Sequence, residues 1–340
     1  AFDDCDLVPK ILANVGKPDL STTVFGRKIS MPIFLSPAAM QRLYHPEGDK
    51  ASARAAEKFN TFYSMSTMSN NSIEQIANLS SGPKLFQLYI HKDQSITDDL
   101  IDRCKRANFD GLCLTVDTIV AGNRERDHRT GFTTPPKLTL KSLFSFAIKP
   151  KWVFDYLTNE KFELSNVKNK TDKGTNITKS VIEYINEQYD PGMNWSDAEY
   201  VVKRWDKPFA IKGVMSVEDA KRAVDIGCTA IMISNHGGRQ LDGSRSPFDQ
   251  IKLISDAVGD KVDIILDGGV RRGTHVLKAI AAGAKACSFG KAFLFSLSAG
   301  GQKGVEKLLQ NMHDEIQRNM ILMGCKNLKD LNYSRLIFRR

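Results

Sequence analysis

Short apolar, β-branched runs ending in small or polar residues recur along this chain, separated by stretches with helical periodicity. The runs are Ile33–Ala38, Thr61–Ser66, Leu85–Ile90, Gly111–Asp117, Pro208–Gly213, Ala230–Asn235, Asp263–Gly269 and Ala286–Lys291. Between them, segments such as Glu47–Phe59, Ile96–Ala107, Val217–Ile226 and Gly273–Ala282 place apolar residues on one helical face, several with glycine at the stop position. Eight strand–helix alternations predict an α/β fold, a closed parallel (β/α)8 TIM barrel. An open doubly wound sheet shares the same local signature.

The spacing is even except once. The fourth run ends at Asp117 and the fifth begins near Pro208, which predicts a long insertion over 118–207 after the fourth strand. Within it, Lys141–Lys170 mixes Phe144, Phe146, Trp152, Phe154, Tyr156 and Phe162 with Lys141, Lys149, Lys151, Lys161, Lys168 and Lys170. Aromatics among lysines suit a membrane interface or partner surface; a long active-site lid packing its aromatics on the barrel is the other reading. At 340 residues, 41% of them hydrophobic, the chain is long enough to bury the core of one large domain over 1–340. It opens at Ala1 without an initiator Met, so a preceding N-terminal segment is expected to be missing.

The net charge of +9 suits an anionic partner: a nucleic acid, a membrane surface or a small acidic ligand. The basic residues are spread through the chain with no nucleic-acid-binding module, which disfavours the first. The six cysteines show no CxxC pair or zinc spacing, so no metal is expected, and they read as reduced thiols of a cytosol-like compartment. No apolar run approaches the roughly 18 residues that span a bilayer, and no signal-peptide pattern is present. A soluble or at most peripheral protein is expected.

Barrel chemistry gathers at the C-terminal strand ends, and polar residues fall there in phase. Ser66 closes the second strand, Gln87 and Tyr89 lie in the third, Thr115 and Asp117 close the fourth, and Lys212 lies at the end of the fifth. Ser234 and His236 end the sixth, Asp267 with Gly268, Gly269 and Arg271 the seventh, and Gly290-Lys291 the eighth. The seventh and eighth ends are where barrels bind phosphate through glycine amides and a nearby cation.

Ser234–Gly243 (Ser-Asn-His-Gly-Gly-Arg-Gln-Leu-Asp-Gly) carries the sharpest signal. A lone histidine is more often structural than catalytic, but here the company changes the reading. A buried carboxylate such as Asp117 would hold the His236 imidazole in one tautomer and stabilise its protonated form, as a proton-abstracting base requires. Arg239, three residues on, would clamp a substrate carboxylate in a bidentate fork.

With Ser36-Pro-Ala-Ala-Met40, His45-Pro-Glu-Gly48, Phe86-Gln-Leu-Tyr89, Leu114-Thr-Val-Asp-Thr118, Ile211-Lys-Gly213 and Asp267–Gly273 in that order, the chain resembles the FMN-dependent 2-hydroxy-acid oxidoreductases from about Asp19 to Leu331. That resemblance implies an FMN cofactor and oxidation of an L-2-hydroxy acid, L-lactate foremost, to the keto acid. By the same resemblance Ala38, Ala39, Ser66, Gln87, Thr115 and Lys212 contact the isoalloxazine or ribityl chain, with Ser234 counted among the cofactor residues. Asp267, Gly269, Arg271, Gly290 and Lys291 hold the ribityl chain and phosphate. Arg124, Arg239 and Tyr89 take the substrate carboxylate or hydroxyl, Met68 lies beside the substrate side chain, and His236 supported by Asp117 is the base. The Lys212 cation would favour the reduced flavin.

The chain departs from the family in three places. The family's Tyr-Tyr segment, which supplies a pocket tyrosine, has no counterpart ahead of Ala1. Lys291 stands where the family has arginine, a point charge for a planar fork. Met68 stands where some relatives carry a bulky aromatic, leaving room for more than glycolate. Lys149-Pro-Lys-Trp152 and Asn194-Trp195-Ser-Asp197 look most like the membrane-associated lactate and mandelate dehydrogenases, implying a dehydrogenase that passes electrons to quinone. A homotetramer, cytoplasmic or peripheral on the inner face of the cell membrane, completes that expectation. Two alternatives stand beside it: an oxidase that uses oxygen and releases hydrogen peroxide, and an inactive flavin-binding barrel on a membrane.

Overall fold

The computed structural model describes residues 1–130, 139–160, 162–167 and 190–339. Its centre is a closed barrel of parallel strands: β4 (Ile33–Leu35), β5 (Tyr63–Ser66), β6 (Lys84–Leu88), β7 (Gly111–Thr115), β8 (Phe209–Val214), β9 (Ala230–Ile233), β10 (Asp263–Asp267) and β11 (Ala286–Phe289), with β11 closing onto β4. The eight predicted strands are therefore all present, in a (β/α)8 arrangement rather than an open sheet. A strand in such a barrel faces the barrel interior on one side and helices on the other, so it is buried throughout. β4, β5, β6, β7, β9 and β11 are buried at every position; β4 and β9 are apolar throughout, while β5, β6, β7 and β11 also carry buried polar residues.

The helices supply the outer layer. In Gln94–Arg106, Ile96, Leu100, Ile101 and Cys104 turn one face to the strands while its charged residues lie towards solvent. That helix starts ahead of the expected Ile96 because the Asp93 side chain accepts from the Ser95 amide and caps it.

Most strands stop two or three residues before the sequence runs do. The polar residues after each ladder belong to loops of the barrel mouth, where positive φ at His236, Gly237, Gly238, Gly268 and Gly269 leads the chain out of the sheet. Lys212 lies two residues before the end of β8; the register shifts between Lys212 and Val214, where Gly213 at φ +112° makes a bulge.

Two small sheets escaped the sequence reading. β1 (Cys5–Leu7) pairs antiparallel with β12 (Leu336–Phe338), fastening the two ends of the chain together. β2 (Thr22–Val24) and β3 (Arg27–Ile29) form a hairpin turning at Phe25 and Gly26, both at positive φ. Val24, Phe25 and Ile29 pack with Phe34, Phe62, Leu85, Cys113, Ala210, Met232 and Ile265 and close the N-terminal end of the barrel. All six cysteines are buried and free of disulfides.

Between β7 and β8 the described helices are Glu125–Thr130, Leu140–Ala147, Pro150–Thr158 and Trp195–Trp205. Lys161, Lys168 and Lys170 of the basic aromatic stretch lie outside the described residues. Trp152 Nε1 donates to the Leu43 carbonyl at 2.8 Å, and Arg42 pairs with Glu160, so Pro150–Thr158 is docked beside the loop that follows β4. Among the described residues no helix is long and apolar enough to cross a membrane.

Candidate active site

Four strand ends converge on one carboxylate. Asp267 at the end of β10 accepts from Ser36 Oγ and Ser288 Oγ, both at 2.6 Å, on Oδ1. Its Oδ2 accepts from Ser234 Oγ at 2.7 Å and from Lys212 Nζ at 2.9 Å. All four acceptor positions of the carboxylate are thereby filled. Burial works against both charges, yet Asp267 stays at about 2, below the usual carboxylate range, because Lys212 and the three serine hydroxyls favour its charged form. Burial likewise works against the Lys212 cation, but Asp267 and Asp117 hold its pKa above the ordinary lysine range. The result is a permanent ammonium fixed in the barrel mouth, with Ser234 also 3.0 Å from Nζ.

His236 lies just past β9 at φ +57°, a left-handed conformation that histidine tolerates better than most residues. Its amide donates to Ser234 Oγ at 3.1 Å, and its ring Nδ1 lies 3.1 Å from Asp117 Oδ1. Thr118 Oγ1 touches both partners, at 3.1 Å from Asp117 Oδ1 and 3.3 Å from His236 Nδ1. Burial pushes the Asp117 carboxyl up, but the His236 hydrogen bond and the Lys212 charge outweigh it and keep the pKa below its ordinary value. Tyr89 hydrogen-bonds with Thr118 and feels Lys212, Asp117 and Arg124; burial nevertheless raises its phenol above the ordinary range. An anionic carboxylate against one imidazole nitrogen, with a phenol and a fixed ammonium nearby, can accept and hold a proton while a negative ligand is bound.

The remaining candidates divide by position. Ala38, Met68 and Thr115 are buried around the mouth, with Ala39 half-buried beside them. Ser66 Oγ donates to Gln87 Oε1 at 3.0 Å, which leaves the buried Gln87 Nε2 without an acceptor among the described residues. Arg124 is half-buried near Tyr89, whereas Arg239 is exposed. Gly269, Arg271, Gly290 and Lys291 sit where two helices begin. The helices after β5, β6, β8 and β9 are capped by Ser72, Asp93, Ser216 and Ser246, but Gly48–Lys58, Gly273–Ala281 and Lys291–Leu322, after β4, β10 and β11, start with no side-chain cap. Uncapped N-terminal amides beside the exposed Arg271 and Lys291 are suited to an oxyanion.

Sequence reasoning missed Thr118, Ser36 and Ser288. A hydroxyl inside an otherwise apolar strand, as at Ser288 in Ala286–Phe289, is the signal that marks an inward-facing partner. Among the described residues no cluster suited to a metal ion occurs.

A mouth with a fixed ammonium, a carboxylate-backed imidazole and uncapped helix starts suits a planar, phosphate-bearing redox cofactor beside a proton acceptor. The chain belongs to the FMN-dependent dehydrogenase family, whose profile matches residues 1–338. It is 38% identical to glycolate oxidase of Spinacia oleracea over 336 residues, covering 99% of this chain and 85% of that protein. It is also 38% identical to an L-lactate oxidase of a Nostoc species, covering 98% of this chain and 87% of that one. Among solved structures, the monotopic membrane protein (S)-mandelate dehydrogenase superposes with a TM-score of 0.93 at 31% identity, covering 99% of this chain and 89% of that one. Mandelate oxidase with (S)-4-hydroxymandelic acid gives 0.83 at 33% identity, covering 99% and 87%.

The chain is thus an FMN-dependent oxidoreductase of the 2-hydroxy-acid type. The residues present fit the cofactor: the unpartnered Gln87 amide, the buried Lys212 cation, the positive-φ Gly268-Gly269 turn and the uncapped helix starts after β10 and β11 offer donors that suit a flavin ring and a phosphate.

Proposed function

We propose that the protein oxidises L-lactate to the keto acid, with His236 as the base and the electrons passed on to quinone or another carrier. The observation that carries this reading is the 3.1 Å contact between His236 Nδ1 and Asp117. With Nδ1 held there, the other ring nitrogen takes the substrate proton, and Asp117 stabilises the imidazolium that results. Whether that proton leaves carbon or the hydroxyl, the same base serves. FMN supplies the two-electron acceptor when bound.

Arg124 and Arg239 take the carboxylate, Arg239 moving in from its exposed position, and Tyr89 donates to the hydroxyl or carboxylate. Met68 bounds the substrate side chain. Ala38, Ala39, Ser66, Gln87, Thr115, Lys212 and Ser234 line the ring and ribityl side of the cofactor. Asp267, Gly269, Arg271, Gly290 and Lys291 serve its ribityl and phosphate end. A homotetramer is part of the same reading and is checked by light scattering.

The preference for a dehydrogenase on the inner face of a membrane rests on Leu140–Ala147 and Pro150–Thr158. There Phe144, Phe154 and Leu157 are 69%, 66% and 73% exposed, next to exposed Lys149 and Lys151. Exposed aromatics among lysines match an anionic lipid surface. The similar (S)-mandelate dehydrogenase is described as a monotopic membrane protein.

Anaerobic mixing of the yellow protein with L-lactate, glycolate or (S)-mandelate, followed by oxygen or a soluble quinone, tests the reading. L-Lactate is expected to bleach the flavin fastest and quinone to restore the colour. The similarity to glycolate and L-lactate oxidases favours a second reading, an oxidase, which predicts rapid recovery with oxygen alone and peroxide as product. Absence of bleaching by every 2-hydroxy acid would leave an inactive flavin-binding barrel.

A further inference from the structure

Two mouth loops are clasped together by one amide. Gln240 Nε2 donates to the Asp117 carbonyl and to the Val120 carbonyl, each at 3.0 Å. The donor belongs to the loop after β9, which carries His236 and Arg239; both acceptors belong to the loop after β7, which carries Asp117 and Arg124. Each bond joins residues more than a hundred positions apart, so neither is a local turn.

The fit on the other side of the clasp is as close. A Cβ on Gly122 would collide with the Arg239 carbonyl oxygen and would stand 2.9 Å from Gln240 Oε1. Gly122 is therefore glycine because the backbone of one loop lies directly on the other, and the Gln240 amide oxygen fills the remaining gap. Gln240 Oε1 is itself buried with no donor among the described residues, so the hydrogen bonds of the side chain there are the two that Nε2 donates.

We infer that Gln240 is a positioning residue for substrate capture: it fixes the Arg124 loop against the His236 loop and holds the backbone of Asp117. Its amide touches neither the Lys212–Asp267 pair nor the glycine turns, so cofactor retention is independent of it. This rests on the proposed roles of His236 and the two arginines, and the test keeps the two apart.

The holoenzyme with Gln240→Leu keeps the shape of the side chain and loses both donors. Expected are unchanged FMN content, faster hydrogen–deuterium exchange in peptides covering 117–124 and 236–241 but not in the barrel strands, and a KM for the bleaching hydroxy acid raised about tenfold or more, as two lost hydrogen bonds imply. The change in kcat is expected to be smaller than the change in KM. Gln240→Glu, which sets a carboxylate oxygen against two carbonyls, is expected to be worse than leucine. Gly122→Ala reaches the same interface from the other side and is expected to reproduce the exchange pattern, the double variant falling short of the product of the singles. Unchanged exchange at 117–124 with an unchanged KM in Gln240→Leu would overturn the inference, as would equal loss of FMN and of protection throughout the barrel. Failure of the base assignment shows elsewhere, as flavin bleaching that survives His236→Gln, and leaves the exchange result standing.

Discussion

Lys212 and Asp267 meet at 2.9 Å with side chains only 5% and 8% exposed, on strands separated by β9. Removing one member of a buried pair strands the other charge, which costs on the order of 3–5 kcal/mol. Lys212→Met is therefore expected to lower the unfolding free energy obtained from urea titration by that much and to release FMN on gel filtration. A variant that unfolds like the parent and stays yellow would count against the pair as the centre of the site.

The pair also sets an acid limit. The folded-state pKa of Asp267, about 2, is depressed from 3.8, so the unfolded chain binds its proton more readily and stability falls as the medium is acidified. The contribution, about 2 kcal/mol, is complete above the ordinary value and is lost as pH falls through that of the folded state. Urea midpoints measured from pH 5 to pH 2.5 are expected to fall less steeply in Asp267→Asn than in the parent.

His236→Gln preserves the size of the side chain and its amide contact with Ser234. It is expected to bind FMN normally and to lose about 10²- to 10⁴-fold in the rate of flavin bleaching, the usual scale for removing a general base. Stopped-flow absorbance gives the rate, and near-parental bleaching would remove His236 from the chemistry.

Gly213→Ala tests the bulge in β8. At φ +112° an L side chain is strained, and its Cβ would stand 2.8 Å from Asp117 Cβ. Loss of turnover is expected to exceed loss of stability, since Asp117, whose carboxylate touches His236, must shift. Thermal unfolding alongside steady-state rates separates the two effects.

The barrel was legible because parallel strands buried on both faces leave largely apolar runs, and the polar residues at their C-terminal ends mark the mouth. His236 and Asp117 could be paired as types of group, but their contact spans 119 positions and is created by closure of the barrel, with β8 lying between their strands. The hydroxyls of Ser36, Ser288 and Thr118 looked like any small polar residue; what distinguishes them is the acceptor they face. The hairpin β2–β3 went unseen because it turns at Phe25-Gly26, without the Asn-Gly or Asp-Gly pair that announces such turns. Gln240 stood inside the most informative motif, yet its role depends on two carbonyls of a distant loop.

That same hairpin has a kinetic meaning. Val24, Phe25 and Ile29 stopper one end of the described barrel, so under the proposed function fuel and oxidant are expected to take turns at the other end. Initial-rate lines for the two are expected to run parallel, the mark of a shuttle that must discharge its first cargo before accepting the next. The keto acid leaving and the oxidant arriving would then compete for the same threshold.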